Sequence, residues 1–581
     1  MANSFPALLF LASLAAAQSP TSADKGRIEG MLVNQTTGDP VRKGTLTLHA
    51  VSTGPVNPGD NSSPAALSTV SDAQGRFAID QIDPGRYRLT ASRPGFLQTT
   101  YRASGSSTIT VSAGQAIAAL RVTIVPLGII SGRVTDEDGD PTTEVSINVS
   151  RSVYVNGQRT IRNYSGASVD EQGNFRIANL EPGTYVVSAS SFRDLSRSGD
   201  GPVQTYYPGV VNPAQAAPVT VAAGAETRGP EFRMLKLHLY RVSGKVVDSQ
   251  TGVPPENMMV RYMPEGGETM NGFMMSGLRN GTFTFNAVPP GSYILLNNNN
   301  VVRVGGDAVP VKPQFVRFPF IVSDHDVTGL VVTTMPGATV TGTIADESGV
   351  ALANSQTVQN AQSTASSSPQ SAGAAPPARI PRPFVRFIPA EAQAMMGNLS
   401  QAQAQATNDS TFEVRDVAPA KYFLSVTGLP QGSYIKTIRL GTEDVTNTSF
   451  DLASVGGAMT IVVSLNAADV AGAVHNENGA SVPDVFITIA PTSAALAAIP
   501  GRVTNARTDS TGKFKTPSLP PGEYRVFAWE DVDMMYTQDP DFRAHFEGSA
   551  ATVKLDEGAH TTLDLKLIPH DVIQAESSKI H

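Results

Sequence analysis

The chain has no cysteine among its 581 residues. No disulfide can staple it, so hydrophobic cores alone must hold it together. Charge is sparse: Asp, Glu, Lys and Arg make up 16% of the residues, and the formal net charge is −8. There is no basic stripe to neutralise phosphates, which excludes a nucleic-acid partner. Tryptophan occurs once, at position 529. No stretch after the N-terminal residues approaches the roughly 20 apolar residues of a membrane-spanning helix, so no membrane span is expected. No segment carries a sustained 3.6-residue apolar period, and helix should be scarce.

The first apolar run, Phe5 to Ala17, has the length of a signal-peptide core, and Ala15-Ala16-Ala17 before Gln18 supplies small residues for cleavage. No Lys or Arg precedes it, and a buried N-terminal strand or helix is the alternative. A signal peptide at 1–17 implies export, to a periplasm, an outer surface or the extracellular space.

What the chain has in quantity is repetition. An apolar-x-Gly-x-apolar segment occurs five times: Ile28-Gly30-Leu32, Ile130-Gly132-Val134, Val242-Gly244-Val246, Val340-Gly342-Ile344 and Val470-Gly472-Val474. Alternation of this kind marks a strand with one buried face. Glycine weakens a strand unless a bulge or a close backbone neighbour requires it, so five occurrences point to a packing requirement. A polar turn follows each copy, ending in Gly38, Gly139, Gly252, Gly349 or Gly479. Further on come a Gly-x-Phe strand and a Pro-Gly-x-Tyr strand, fullest in VDEQGNFRIANLEPGTYVVSA from Val169 to Ala189. The Tyr of this motif reads as a corner residue, buried with its hydroxyl tied to nearby backbone. The fourth copy departs from the pattern, with Ser410 before Phe412 and Ala420 in place of the turn glycine.

Short strands and turns at this spacing predict an all-β protein. The expected architecture is five tandem Ig-like or transthyretin-like β-sandwich modules in an elongated array with touching neighbours. The boundaries are 18–126, 127–235, 236–336, 337–468 and 469–581. Residues 351–383 and 391–407 of the fourth module are rich in Ala, Gln, Ser and Pro and read as flexible insertions, the second with the alternative of a short helix.

The opening strand with its glycine, the Asp/Asn-x-x-Gly turn, Gly-x-Phe and Pro-Gly-x-Tyr together resemble the carboxypeptidase regulatory-like domain, a transthyretin-like sandwich grouped with carbohydrate-binding-like folds. Thr205-Tyr206-Tyr207-Pro208-Gly209 and the stretch Tyr434 to Leu440 look like segments of large exported bacterial multi-domain proteins. The resemblance implies a fold and leaves function open, since such modules accompany many activities.

No catalytic constellation is found. His-Glu-x-x-His, Gly-x-Ser-x-Gly and the phosphate-binding Gly-x-x-x-x-Gly-Lys are all missing, and the eight histidines are scattered. A non-enzyme without cofactor or bound metal is expected. Asp324-His325-Asp326 and the cluster Asp136 to Asp140 are the best local metal candidates, and each also reads as a polar turn. Tyr206, Tyr207, Trp529 and Tyr536 are candidate ligand-binding residues: a loop aromatic can stack on a sugar face, with Glu530, Asp531 and Asp533 beside Trp529 to take hydroxyls. Packing within or between modules is the other reading of these aromatics. Three functions follow in order: a non-catalytic exported scaffold or interaction protein, a carbohydrate-binding protein of the envelope or extracellular space, and an accessory subunit of an enzyme. The partner is an unknown protein or glycan.

Overall fold

The structure is a computed structural model. It describes the chain outside residues 1–24, 52–65, 103–106, 156, 192–197, 256–257, 266–274, 299–302, 305–306, 309–312, 353–381, 391–401, 408, 453–457 and 578–581. The signal-peptide segment and most of both fourth-module insertions therefore lie outside the described residues. The end of the second insertion is described: Gln403–Gln405 is a strand paired with Phe384–Pro389, where the sequence suggests a loop or helix.

The chain is all-β with two compact units, Met1–Pro126 and Leu127–His581. The first unit is one sandwich. Its opening strand, Gly26–Asn34, lies between the antiparallel Phe strand Arg76–Ile82 and the parallel closing strand Ala116–Ile124. The facing sheet is built on Thr45–Ala50 and the Tyr strand Gly85–Ser92. The second unit repeats this plan four times. Its opening strands are Gly128–Thr135, Lys236–Val247, Ala338–Asp346 and Asp469–His475. In the fifth module the closing strand Leu565–Ile568 pairs in parallel with both the opening strand and the Tyr strand Gly522–Trp529, so the two sheets are continuous there.

The recurring glycine sits directly across the ladder from the recurring phenylalanine in every module: Gly30 and Phe77, Gly132 and Phe175, Gly244 and Phe283, Gly342 and Phe412, Gly472 and Phe514. In the first four modules the phenylalanine ring folds over the bare Cα. A Cβ at Gly244 would lie 2.9 Å from Phe283 Cζ and 2.5 Å from the Leu330 carbonyl oxygen of the closing strand. At Gly132 the nearest carbonyl, Pro230, would be 2.1 Å away, and at Gly472 the Leu563 carbonyl 1.9 Å. The missing side chain is what lets ring and closing strand approach together.

Two further devices recur. The residue two before each phenylalanine has a left-handed backbone, with φ of 73, 76, 77 and 79° at Gly75, Gly173, Gly281 and Gly512. Its carbonyl accepts a hydrogen bond from the opening strand, at Leu32, Val134, Val246, Ile344 and Val474 in turn. Ser410 keeps both the bond and the conformation, with φ 57°, which a non-glycine residue adopts only at a cost. Ala420 is tolerated for a different reason. Ala420 itself has no positive φ, and at the equivalent Gly85 and Gly291 the atoms nearest a Cβ belong to the ring of the following tyrosine, at 3.4 and 3.2 Å, whereas Gly183 and Gly522 have φ of 150 and 158°.

The tyrosines are corner residues in all five modules. The hydroxyls of Tyr87, Tyr185, Tyr293, Tyr422 and Tyr524 each donate to the carbonyl four residues earlier, at 2.7–2.9 Å. The rings are buried in the module cores, and burial raises every one of these phenol pKa values.

Two stability predictions follow from this packing. Gly244→Ala is expected to destabilise the third module by about 1–3 kcal/mol through overpacking. Gly277→Ala, in the same module with nothing within 4 Å of its Cβ position, should stay within about 0.5 kcal/mol. Calorimetric melting of the full chain checks the pair, and equal effects would contradict the packing argument. Tyr185→Phe should lose about 1 kcal/mol with its hydrogen bond, and Tyr185→Ala about 3–5 kcal/mol. Negligible loss in both would remove the corner from the account.

Candidate functional site

The turn after each opening strand uses its first side chain to hold its own backbone. Asp136 Oδ1 accepts from the amides of Asp138 and Asp140 at 3.1 and 2.9 Å. Asn34, Asp248, Asp346 and Asn476 make the corresponding bonds in the other modules. The acidic cluster at 136–140 is therefore the recurring turn with extra carboxylates, the polar-turn reading of that segment. At Asp324-His325-Asp326, Asp324 Oδ1 lies 2.8 Å from His325 Nδ1, while Asp326 accepts from the Arg241 amide at 2.8 Å, tying the loop to the opening strand of module 3. The three side chains are thus divided between two tasks. Among the described residues no group of three or more His, Asp or Glu is placed to hold a metal ion.

The four candidate aromatics do not form one site. Trp529 is fully buried in the fifth module. Its ring stacks on Phe527 at 5.2 Å and meets Phe546 edge-on at 5.0 Å, and its Nε1 donates to Thr488 Oγ1 at 3.0 Å. A ring so enclosed has no face for a sugar, so Trp529 is corrected to a core residue. The acidic residues near it are also engaged. Glu530 accepts from the His570 amide at the start of helix His570–Ser577. Asp533 caps helix Met534–Gln538. Tyr206 is likewise buried, and its amide bonds to Val210 O at 2.7 Å. Tyr207, joined to Pro208 by a cis peptide, lays its ring edge-on against Phe232 at 6.0 Å and packs on the second core. Tyr536 is half-buried and stacks on Phe542 at 5.4 Å. The reading of these rings as exposed platforms gives way to packing, because Tyr206 is buried and the other three have aromatic or core neighbours.

Several pairings of the second unit join neighbouring modules. Strand Gly199–Pro202 of the second module pairs with the first residues of Lys236–Val247, and Val203, Leu239 and Ala287 form a small core beneath. At the end of the third module Gln314–Phe315 pairs with Met335–Pro336, and a Cβ at Gly337, the first residue of the fourth, would lie 3.0 Å from the Phe315 ring. Glu557 of the fifth module accepts from Tyr434 Oη at 3.0 Å and Ser464 Oγ at 2.6 Å in the fourth, with Lys436 Nζ 3.5 Å away. Beside this joint is a cleft of about 810 Å³, lined in part by Gly432, Asp469, Lys515 and His560. Asp469 there is held by Lys515 and His560, each at 3.0 Å.

Residues 27–125 match the family model of the carboxypeptidase regulatory-like domain. The first module is a domain of that family, and the other four share its glycine, phenylalanine and tyrosine arrangement. No curated protein matches the chain. Among solved structures, a streptococcal ancillary pilin is 14% identical, covering 54% of this chain and 99% of its own with a TM-score of 0.19. A minor pilin of Streptococcus agalactiae is 14% identical, covering 36% and 96% with a TM-score of 0.21. The Bacillus anthracis TIE protein is 12% identical, covering 77% and 76% with a TM-score of 0.15. Overlap at those values is too slight to transfer any property to this chain.

The Glu557 joint generates a pH prediction. Hydrogen bonds from Ser464 and Tyr434, with Lys436 nearby, hold the Glu557 carboxyl below the usual glutamate range. A lowered folded pKa contributes stability above the unfolded value of about 4.3, and that stability is lost as pH falls through the folded value. Melting of the full chain between neutral and acid pH should therefore fall more steeply for the wild type than for Glu557→Gln. Parallel curves would show that the carboxylate does not hold the joint.

Proposed function

We propose that the chain is an exported, non-catalytic scaffold that joins its modules in series and presents them to a partner, a protein or glycan of the cell envelope. The single observation behind this reading is the employment of the side chains that could do chemistry. The recurring tyrosine hydroxyls tie corners, the turn carboxylates hold their own loops, Glu557 serves the joint between the fourth and fifth modules, and Asp469, Lys515 and His560 pair with one another inside the fifth. A protein selected for the placement of modules needs such joints and needs no convergent catalytic set. The glycan reading loses its main support with the burial of Trp529 and Tyr206.

The test is a panel of hydrolase substrates and a glycan array probed with the purified protein. Neither turnover nor saturable glycan binding is expected. Turnover above the blank would overturn the non-catalytic reading, and saturable binding to one glycan class would put the carbohydrate-binding alternative in its place.

A further inference from the structure

A strand at the edge of a sheet presents unpaired backbone amides and carbonyls, and folded proteins blunt such edges with charge, proline or a bulge. Among the described residues this chain does so at every edge strand of five or more residues but one. The Phe strands Arg76–Ile82, Asn174–Leu180 and Thr411–Val417 carry charged residues and a register shift, and the uncharged Thr282–Val288 keeps the shift. The closing strands Ala116–Ile124, Glu226–Arg233 and Val327–Thr333 shift register beside Ala119, Gly229 and Gly329, all at positive φ. In the facing sheets, Gln158–Ser168 carries Arg159 and Arg162, Arg317–Val322 carries Arg317 and Pro319, and Ala551–Leu555 carries Lys554. The exception is Ala66–Val70, the edge of the facing sheet in the first module. Its sequence, Ala-Leu-Ser-Thr-Val, has no charge, proline or glycine, and its pairing with Thr45–Ala50 is unbroken.

We propose that this edge is where two copies of the chain meet, strand against identical strand, antiparallel about a two-fold axis at Ser68. Ala66, Ser68 and Val70 are exposed, Val70 by 58%, while Leu67 packs at the margin of the first core. The two-fold register sets Ser68 against Ser68 of the second copy, Leu67 against Thr69 and Ala66 against Val70. No charge faces a like charge anywhere along it, and the half-buried Leu67 and Thr69 gain cover on the core side of the seam. Two five-stranded sheets then become one continuous sheet. An isologous contact of this kind needs no separate complementary surface, and it closes at two copies. A seam of five residues is small against the roughly 1,200–2,000 Å² of a stable interface, so the dimer is a weak and reversible one. The inference stands apart from the scaffold reading, because it uses the first unit alone.

Sedimentation of the full chain tests this. The wild type is expected to pass from monomer toward dimer as its concentration rises to about 1 mM, the weak end of specific association. Ser68→Lys sets two ammonium groups across the axis and should weaken dimerisation by about fivefold or more, the scale of like charges opposed in a sheet. Ser68→Glu should do the same, and mixing the two variants should restore association. The Ser68 side chain is exposed and shares one hydrogen bond, with Thr47 Oγ1 at 3.2 Å, so both variants should melt close to the wild type. Cross-linking locates the seam. The chain has no cysteine, so Ser68→Cys supplies a lone thiol on the axis. Mild oxidation should trap it as a covalent dimer much faster than Glu171→Cys, an exposed position in the second module. A wild type that stays monomeric throughout would overturn the proposal and leave the edge to a strand of another protein. Dimerisation indifferent to either charge at position 68 would overturn it as well.

Discussion

Each module depends on one pairing, a glycine of the opening strand set directly across the ladder from a phenylalanine, whose ring lies over the bare Cα in the first four modules. The opening strand runs between the Phe strand and the closing strand, so its glycine is pressed from two directions. At Gly342 the ring of Phe412 would stand 2.4 Å and the Met459 carbonyl 2.6 Å from any Cβ. A side chain there would push the closing strand off the ladder or the ring out of the core. The left-handed residue before each phenylalanine and the corner tyrosine fix the same unit from its two ends: one ties the Phe strand to the opening strand, the other closes the turn into the facing sheet. Agreement among turn, pattern and packing at this one place is what lets five divergent copies share a fold.

The fourth module shows which parts of that arrangement are strict. It keeps Gly342, Phe412 and Tyr422 and loses the two other glycines. Ala420 costs little, because the backbone there is not left-handed. Ser410 carries the greater penalty, and its carbonyl bond to Ile344 is retained all the same. Steric exclusion at the ring contact is therefore less negotiable than backbone preference at the turns.

The fold was readable because its determinants recur in register: a glycine facing a phenylalanine five times is a pattern that single positions cannot produce. The same feature explains the failures. Trp529, Tyr206 and Tyr536 are aromatic in one module only, Tyr207 is matched by Tyr101 of the first module alone, and aromatic type cannot distinguish an exposed platform from a buried anchor. The neighbours that decide the matter for Trp529 are Phe542 on helix Pro540–Ala544, Phe546 just after it, and Thr488 on another strand. The short helices themselves carry too few turns to show a period. Contact between Arg159 and Asp541 spans 382 residues of sequence, and nothing local to either residue announces it. Joint residues such as Glu557 are similarly silent, because their meaning lies in a partner on another module.

The central claim is that the glycine–phenylalanine ladder organises every module alike. Residue-resolved hydrogen exchange on the full chain tests it most directly, since amides of the most stable local structure open last. The account predicts the slowest exchange in the opening strand and the Phe strand around Gly30, Gly132, Gly244, Gly342 and Gly472, in all five modules. Slowest exchange centred in the facing sheets, with these strands opening early, would contradict it.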